Sequence, residues 1–135
     1  MADPWFETTH RLRFNDCDPA GHINNAVYAV MFEAGRTDLM LAAGMPVMGG
    51  PTAIVIVRLE IDFRHEMNWP GEVLIQTAIE RIGRKSFHTR QRILKDGTLT
   101  AEGLGILAAI DRETRRAIVF DESWRQRFER WTLPP

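Results

Sequence analysis

The densest group of reactive side chains lies between Asp16 and Asn25, in the order Asp-Cys-Asp-Pro-Ala-Gly-His-Ile-Asn-Asn. Pro19 and Gly21 interrupt any regular helix or strand through this segment. A long apolar segment follows, and Asn24 or Asn25 is a natural N-cap for a helix that starts there. We therefore predict a bend at a helix N-terminus, where free N–H groups can bind an anionic oxygen. A carboxylate beside such a position favours acyl transfer or hydrolysis.

The composition is typical of one globular domain. The 135 residues (1–135) suffice for one core, and the values of 26% charged and 44% hydrophobic residues are ordinary. A formal net charge of −1 gives no global attraction to nucleic acid or to an anionic membrane. The single cysteine, Cys17, excludes an internal disulfide and fits a reducing compartment. Because neither a signal-peptide pattern nor a bilayer-spanning apolar run is present, we expect a cytoplasmic protein without a membrane segment.

The hydrophobic pattern predicts one strand, one long helix and then a series of strands. Phe6–Phe14 reads as the first strand, and Asn25–Ala43 reads as a helix that is apolar around most of its circumference and stops at Gly44 and Pro46. After a loose segment the period of the pattern changes to two. The later strands are predicted around Leu59–Phe63 and at Val73–Ile82, Ser86–Lys95, Leu99–Ile110 and Ala117–Phe120, before a tail helix at Ser123–Trp131.

This order of elements predicts an α+β fold in which an antiparallel sheet wraps around the single long helix. Gly103 and Gly105 in one strand predict a bulge or a close backbone contact. The edges and the other face of the sheet would still need cover. We therefore expect an oligomer.

The motif and the order of elements resemble the hotdog-fold thioesterases of the 4-hydroxybenzoyl-CoA thioesterase superfamily over nearly the whole length. The resemblance rests on the Asp-x-Asp-x-x-Gly element within Phe14–Gly21, on the following helix with Tyr28 and Arg36, and on Arg84–Phe87 between two strands. It implies a hotdog fold, which is an antiparallel sheet around one central helix. It also implies thioester hydrolysis at a site between the subunits of a homodimer or homotetramer.

The resemblance implies roles for individual residues. Asp18 matches the catalytic carboxylate, and the backbone N–H of Asn25, in the first turn of the helix, matches the oxyanion contact. The basic loop of Arg84 and Lys85 matches residues that contact CoA phosphates, and Ser86 beside it is expected to contribute to the same binding region.

The residues after Gly21 distinguish this chain from the aromatic-substrate members. The pattern Gly-His-x-Asn-Asn-x-x-Tyr, which ends at Tyr28, resembles the acyl-CoA and acyl-carrier thioesterase branches. The resemblance therefore implies an acyl-CoA or acyl-carrier thioester as the substrate, with Asn24 and Tyr28 expected to contact it. CoA belongs to the substrate, and no separate cofactor or metal is expected.

The chemistry of the individual side chains leaves alternatives open. Asp18 can attack the thioester directly or act as general base on a water molecule. His22 can contact the thioester, orient Asp18 or a water molecule, or be a buried histidine bonded to a carbonyl group. Asn24 and Asn25 can cap the helix, contact the substrate, or do both. We expect Asp16 to hold the turn by accepting backbone N–H groups.

Two other functions remain possible from the sequence. A hotdog hydratase or dehydratase could use Asp18 with His22, and would act on a crotonyl thioester without releasing CoA. A non-catalytic acyl-CoA-binding module would bind the ligand without turnover. Retention of Asp18 in its motif favours the thioesterase over the binding module.

Overall fold

The computed structural model describes residues 3–45 and 47–135, which form a five-stranded antiparallel sheet and a long helix packed on one of its faces. The strand order in the sheet is β1-β3-β4-β5-β2. The elements are β1 (Phe6–Arg11), α1 (Asn25–Ala42), β2 (Thr52–Phe63), β3 (Glu72–Ile82), β4 (Ser86–Lys95), β5 (Thr98–Asp111) and α2 (Glu122–Phe128), with 3-10 turns at Phe14–Asp16 and Glu129–Trp131. The predicted α+β class is confirmed.

Helix α1 begins and ends close to the predicted positions. The side chain of Asn24 accepts a hydrogen bond from the N–H of Ala26, which makes Asn24 the N-cap. The helix ends at Ala42, and Gly44 follows in the left-handed region with φ of 74°. The predicted stop at Pro46 lies outside the described residues. None of the helices in the described residues is both long and apolar enough to cross a bilayer.

One face of α1 is open, although the helix is apolar around most of its circumference. Val30 and Leu41 are exposed on this face. Arg36 of α1 is buried, with 6% of its surface accessible. Its guanidinium donates to Gln91 Oε1 at 3.1 Å beneath the helix, which gives the buried group a polar partner. Burial lowers the pKa of Arg36, although Glu33 opposes this effect.

The buried Gln91 joins α1 to the sheet. Its Nε2 group donates to the carbonyl of Phe32 at 2.8 Å and to Thr77 Oγ1 at 2.9 Å. A Cβ atom at Gly35 would lie 2.8 Å from Thr77 Oγ1 and 3.0 Å from Gln91 Nε2. Glycine at position 35 therefore permits the close approach of helix and sheet that these hydrogen bonds require.

The strands follow the sequence pattern with two exceptions. The predicted first strand, Phe6–Phe14, is too long, because β1 ends at Arg11 and the chain turns at Phe14–Asp16. Ala117–Phe120 is not a strand, and Ala117 forms only an isolated bridge with Ile110. The backbone of this segment bonds to two different parts of the chain. The Ile118 N–H donates to the carbonyl of Ala109 in β5, and the Phe120 N–H donates to the carbonyl of Arg84 in the β3–β4 turn. It therefore crosses between two structural elements instead of continuing one ladder.

Gly103 and Gly105 in β5 allow close contacts, which is one of the two alternatives that the sequence predicts, the other being a bulge. A Cβ atom at Gly103 would lie 3.0 Å from the ring of Phe32 on α1, and one at Gly105 would lie 2.8 Å from Thr89 Oγ1. The register shifts of the sheet occur away from these glycines, at Val57 in β2, at Glu80 in β3 and at Thr100 near the start of β5. The glycines allow α1 and a neighbouring side chain to approach the strand.

The reactive segment and the β2–β3 connection meet at one end of the sheet. Residue His22 bridges to Asn68, the Ile23 N–H donates to the carbonyl of Met67 at 2.8 Å, and the N-terminus of α1 follows directly. The β3–β4 turn at residues 83–85 and helix α2 lie at the opposite end. The fold thus concentrates the residues of the predicted motif at a single end of the sheet.

Candidate active site

Asp16 is a structural residue of the turn before the site, as predicted. Its buried carboxylate accepts the backbone N–H of Arg13 at 2.8 Å and the Arg13 side chain at 3.2 Å. Its carbonyl accepts the N–H of Asn24 at 2.9 Å. Asp16 therefore connects the start of the turn to the first residue of the helix cap.

Asp18 is held by one carboxylate oxygen. The Oδ1 atom accepts the backbone N–H groups of Ala20 at 2.9 Å and of His22 at 3.0 Å. The tight turn is possible because Gly21 has φ of 83°, a conformation that glycine adopts readily. Among the described residues, no donor contacts Oδ2. The turn therefore fixes the carboxylate and leaves one oxygen available to a reactant.

The N-terminus of α1 carries a donor, the N–H of Asn25, at the cavity that Asp18 also lines. The Oδ1 atom of Asn24 is used for the cap, where it accepts the Ala26 N–H at 2.9 Å. Within residues 3–45 and 47–135, no acceptor takes the backbone N–H of Asn25. Such a free N–H at the positive end of a helix dipole is suited to bind an oxyanion.

His22 pairs with a residue that the sequence reasoning missed. Its Nε2 atom lies 2.9 Å from Glu66 Oε2, and both side chains line the same cavity. Glu66 lies outside the recognised motif, after the end of β2. The only sequence signal is a polar pair, His65 and Glu66, between a half-buried strand and a turn. Only the fold brings Glu66 next to His22.

These groups line a cavity of about 470 Å³ whose inner wall is apolar. Ile23, Tyr28 and Met67 are buried in this wall, and Tyr28 packs edge-to-face on Phe63 with ring centroids 5.0 Å apart. Burial raises the pKa of Tyr28, so its hydroxyl is protonated at neutral pH and can donate a hydrogen bond. The polar lining consists of Asp18, His22, Asn24, Asn25, Arg64, His65 and Glu66.

The charge of this cavity is predominantly negative. Arg64 donates to Glu102 at 3.1 and 2.9 Å and lies 3.5 Å from Asp62, so nearby carboxylates already neutralise it. Asp18 and Glu66 add two further acidic side chains to the lining. The cavity is therefore a poor environment for the phosphates of a nucleotide.

Arg84, Lys85 and Ser86 do not belong to this cavity within one chain. Ser86 begins β4, and Arg84 and Lys85 are exposed in the turn before it. The site lies at the other end of β3, which has 11 residues. At about 3.3 Å per residue, the two regions are roughly 30 Å apart. The structure therefore brings Asp18, His22, Asn24, Asn25 and Tyr28 together and separates the basic loop from them.

The described residues contain no group of three or more His, Cys, Asp or Glu side chains with the arrangement of a metal site. The cavity has instead a carboxylate, a histidine–glutamate pair, a protonated phenol and a helix N-terminus. This set of groups can polarise a carbonyl and activate water.

Comparison with known proteins agrees with this arrangement. The profile of the thioesterase-like superfamily matches residues 12–128. A 1,4-dihydroxy-2-naphthoyl-CoA hydrolase from Synechococcus sp. (strain CC9605) is 30% identical over 122 residues, which cover 84% of this chain and 82% of the relative.

Solved structures share the fold. A predicted thioesterase from Bacillus stearothermophilus is 28% identical with a TM-score of 0.86, covering 97% of this chain and 98% of the other. A 1,4-dihydroxy-2-naphthoyl-CoA thioesterase from Synechocystis has a TM-score of 0.82 at 16% identity, with 92% and 95% coverage, and shows the fold alone.

The fold and the site define a hotdog-fold thioester hydrolase, which confirms the expected architecture and class of enzyme. The chain belongs to the thioesterase-like superfamily.

Proposed function

We propose that this enzyme hydrolyses an acyl-CoA thioester to a carboxylic acid and free CoA, with Asp18 as general base or nucleophile. One observation carries the proposal. Asp18 has one oxygen fixed by two backbone N–H groups and one that no donor in residues 3–45 and 47–135 contacts, and it lines the same cavity as Asn25, whose N–H has no acceptor in these ranges. The Synechococcus relative is a hydrolase of a CoA thioester, which supports CoA as the carrier. An acyl-carrier-protein thioester is the nearest alternative substrate.

The reaction has two routes from this geometry. In the first, Asp18 Oδ2 removes a proton from water while the water oxygen attacks the carbonyl carbon. The C–S bond then breaks, and the proton passes to the departing thiolate. In the second, Oδ2 attacks the carbonyl carbon, the thiolate leaves, and water hydrolyses the resulting anhydride. A single turnover in ¹⁸O water tests the second route, because label found in Asp18 itself identifies an anhydride.

The backbone N–H of Asn25 stabilises the negative charge that develops on the carbonyl oxygen in either route. Its position at the first turn of α1 adds the helix dipole to the hydrogen bond. Loss of one such donor in other enzymes costs roughly 10² to 10³ in rate. Because this donor belongs to the backbone, substitution of the Asn25 side chain does not remove it.

Glu66 positions His22 in this proposal. The hydrogen bond at 2.9 Å places the proton of a neutral imidazole on Nε2, which leaves Nδ1 as the acceptor for water or for the substrate. The Tyr28 hydroxyl and the Asn24 side-chain amide are further contacts for the substrate along the cavity wall. We assign these residues binding and orienting roles, whereas Asp18 performs the chemical step.

The CoA phosphates require cations that a single chain does not supply at this cavity. We propose a homodimer or homotetramer in which Arg84, Lys85 and Ser86 of a second copy reach the site. The exposed apolar side chains of Val30 and Leu41 on α1, and of Val57 on the edge strand β2, support such an assembly. Pairing of two β2 edges in antiparallel orientation would bring opposite ends of the two sheets towards each other.

Three further parts of the proposal follow from the sequence. Residues 1–135 act as one catalytic domain, the enzyme uses no cofactor besides its substrate, and it works in the cytoplasm. The single, unpaired Cys17 supports the reducing compartment.

The first experiment measures free-thiol release from short, medium, long and aromatic acyl-CoAs with wild type and Asp18→Asn. Thiol release that depends on Asp18 supports the proposal, and the profile gives the acyl class. Loss of the enoyl chromophore of crotonyl-CoA without thiol release would instead identify a hydratase. Tight acyl-CoA binding without any turnover would identify a binding module.

A second experiment tests the basic loop. The double variant Arg84→Ala/Lys85→Ala should raise KM for CoA thioesters and leave KM unchanged for N-acetylcysteamine thioesters, which lack the nucleotide. An equal change for both substrates would contradict the phosphate contact. Light scattering on the same samples determines whether the enzyme is a dimer or a tetramer.

A further inference from the structure

One buried side chain of the sheet contacts both ends of a single turn of α1. The Nε2 group of Gln91, in β4, donates to the carbonyl of Phe32 at 2.8 Å, and its Oε1 atom accepts from Arg36 Nη1 at 3.1 Å. Phe32 and Arg36 are separated by about one turn of an α-helix. All three residues are buried, so bulk water does not compete for these bonds. We call this pair of hydrogen bonds the Gln91 clamp.

The Gln91 clamp restricts how α1 lies on the sheet. A flipped amide would present its NH2 group to Arg36 and its oxygen to the carbonyl of Phe32, so one orientation alone satisfies both partners. A third hydrogen bond, from Nε2 to Thr77 Oγ1 at 2.9 Å, fixes that orientation from β3. The apolar contacts of α1, such as Phe32 on Gly103, have no comparable directionality. Sliding or rotation of the helix therefore weakens the clamp before it separates the apolar groups.

The direction of the Asn25 N–H depends on the direction of α1, because N–H groups in the first turn point along the helix axis. The hydrogen bond from the Asn24 N–H to the carbonyl of Asp16 at 2.9 Å fixes the point where α1 begins. A single point does not set the direction of an axis. The Gln91 clamp lies about 10 Å further along the helix, at about 1.5 Å per residue, and supplies the second fixed point.

We propose that Gln91 and Arg36 are positioning residues, which aim the Asn25 N–H at the thioester carbonyl oxygen by fixing the tilt and rotation of α1. This inference rests on the proposed thioesterase function, in which that N–H stabilises the oxyanion. Among the described residues that line the cavity, neither Gln91 nor Arg36 is present, so both act through the helix. A displacement of about 1 Å that originates far from the reacting atoms can cost about 10²-fold in rate.

The test compares Gln91→Met with the double variant Arg36→Met/Gln91→Met. The single variant leaves the buried guanidinium without its partner, so its unfolding temperature should fall. The double variant replaces both partners by apolar side chains of similar size and should recover much of this loss. Both variants should nevertheless have a kcat about tenfold below wild type and a KM within about twofold, because the clamp is absent from both. Rates are measured well below each unfolding temperature. Recovery of kcat together with stability would overturn the inference, because the clamp would then act through folding alone.

Thr8→Val is the matched control. The Thr8 hydroxyl, in β1, donates to Asp38 Oδ2 on α1 at 3.1 Å, so this variant removes another polar contact between the helix and the sheet while it keeps the shape of the side chain. It should leave kcat unchanged, because a single hydrogen bond beyond the clamp does not hold one turn at both ends. A tenfold loss of kcat in Thr8→Val would contradict a specific role of Gln91 and Arg36.

Infrared spectroscopy separates this inference from the proposed function. Asp18→Asn is the background, so that no turnover is needed, and the probe is hexanoyl-CoA labelled with ¹³C at the thioester carbonyl. A hydrogen bond from the Asn25 N–H polarises the bound carbonyl and lowers its stretching frequency below that of the free ligand. Addition of Arg36→Met/Gln91→Met should remove most of this shift and change the affinity by less than about twofold.

The two proposals can fail independently in this measurement. If wild type hydrolyses no thioester and the shift is still lost with the clamp, the proposed function fails and the positioning role stands. An unchanged shift in the clamp variant removes the positioning role even if the enzyme is an active thioesterase.

Discussion

The two ends of the sheet differ in how their polar groups are paired. At the α2 end, polar groups have partners: Arg125 donates to the carbonyl of Ile82 at 3.1 Å, and Arg127 donates to the carbonyl of Gly44 at the C-terminus of α1. At the Asp18 end, a carboxylate oxygen of Asp18 and the N–H of Asn25 have no partner among the described residues. Arginine side chains thus bond to carbonyl groups at the α2 end, whereas the Asp18 end keeps a free acceptor and a free donor among the described residues, as a reactive region requires.

The aromatic residues show the same contrast. Phe87, Phe120 and Phe128 are buried together at the α2 end, with ring centroids 5.2 to 5.8 Å apart for the two pairs that involve Phe87. At the Asp18 end, Phe14 and Trp69 form a comparable pair at the surface. An exposed aromatic pair gains less stability from burial than the enclosed cluster at the α2 end.

The largest expected effect is the loss of activity in Asp18→Asn. Asparagine can still accept both backbone N–H groups through Oδ1, so the turn should persist and the fold should be unchanged. Thioester hydrolysis should fall by about 10² to 10⁴, the usual contribution of a positioned general base. Thiol release and circular dichroism measure the two properties on the same sample.

Asp96→Asn is the matched control for this variant. Asp96 lies in the β4–β5 turn with φ of 51°, a conformation that asparagine also tolerates, and it is outside the cavity lining. It should retain wild-type activity. Near-normal turnover in Asp18→Asn would remove the central assignment.

The next largest effect is expected at the opposite end, on stability. Phe128 is buried between Phe87 and Trp124, so Phe128→Ala removes a large ring from a packed cluster. We expect a loss of about 3–5 kcal/mol in the free energy of unfolding. Turnover per folded molecule at low temperature should remain within about twofold of wild type.

Chemical denaturation and active-site titration test this separation of the two ends. Val119→Ala, which trims an exposed side chain in the same region, should change stability by less than about 0.5 kcal/mol. If folded Phe128→Ala were inactive, the two ends of the sheet would be coupled. This result would contradict the separation of a stabilising end from a reactive end.

Most of the fold was predictable because its determinants are local. The alternation of apolar residues and the Asp96-Gly97 turn predict β4 and β5 within one residue at each end, and Gly44 marks the end of α1. The strand predicted at Ala117–Phe120 is wrong. Its composition is that of a strand, but its backbone does not form a continuous series of hydrogen bonds with one neighbouring strand. The burial of Arg36 could not be predicted from its neighbours, because its partner Gln91 is distant in sequence.

The site was predictable only where it is contiguous. The motif around Asp18 and the cap at Asn24 can be read directly, because each turn forms from neighbouring residues. The pairing of His22 with Glu66 and the ring contact of Phe14 with Trp69 depend on how the β2–β3 connection packs on the Asp18 turn. Sequence spacing contains no information on such contacts in the absence of related sequences.

Glu66→Gln tests whether His22 is positioned by its partner. Glutamine keeps the size of the side chain and can accept a hydrogen bond, but it removes the negative charge beside the imidazole. We expect kcat to fall by about tenfold with little change in KM, because orientation is lost and the binding surface is kept.

The matched control for this variant is Glu60→Gln, which removes an exposed carboxylate that pairs with Arg58 on β2 outside the cavity. It should leave kcat and KM unchanged. A wild-type kcat in Glu66→Gln would show that the pair at 2.9 Å has no part in orienting His22.

The smallest expected effect is at the N-cap of α2. Asp121 accepts hydrogen bonds from the Ser123 hydroxyl and from the N–H groups of Ser123 and Trp124, and the Ser123 hydroxyl is the main cause that lowers the pKa of Asp121 below 3.8. Because the pKa is lower in the folded state, the charged cap stabilises the protein above pH 3.8, and this contribution is lost as the pH falls through the lower folded value.

Asp121→Asn keeps a cap without the charge. The unfolding temperature of this variant should therefore be slightly lower than that of wild type at neutral pH, and the difference should shrink in acid. A difference that stays constant down to acid pH would show that the charge of Asp121 contributes nothing to the stable end of the sheet.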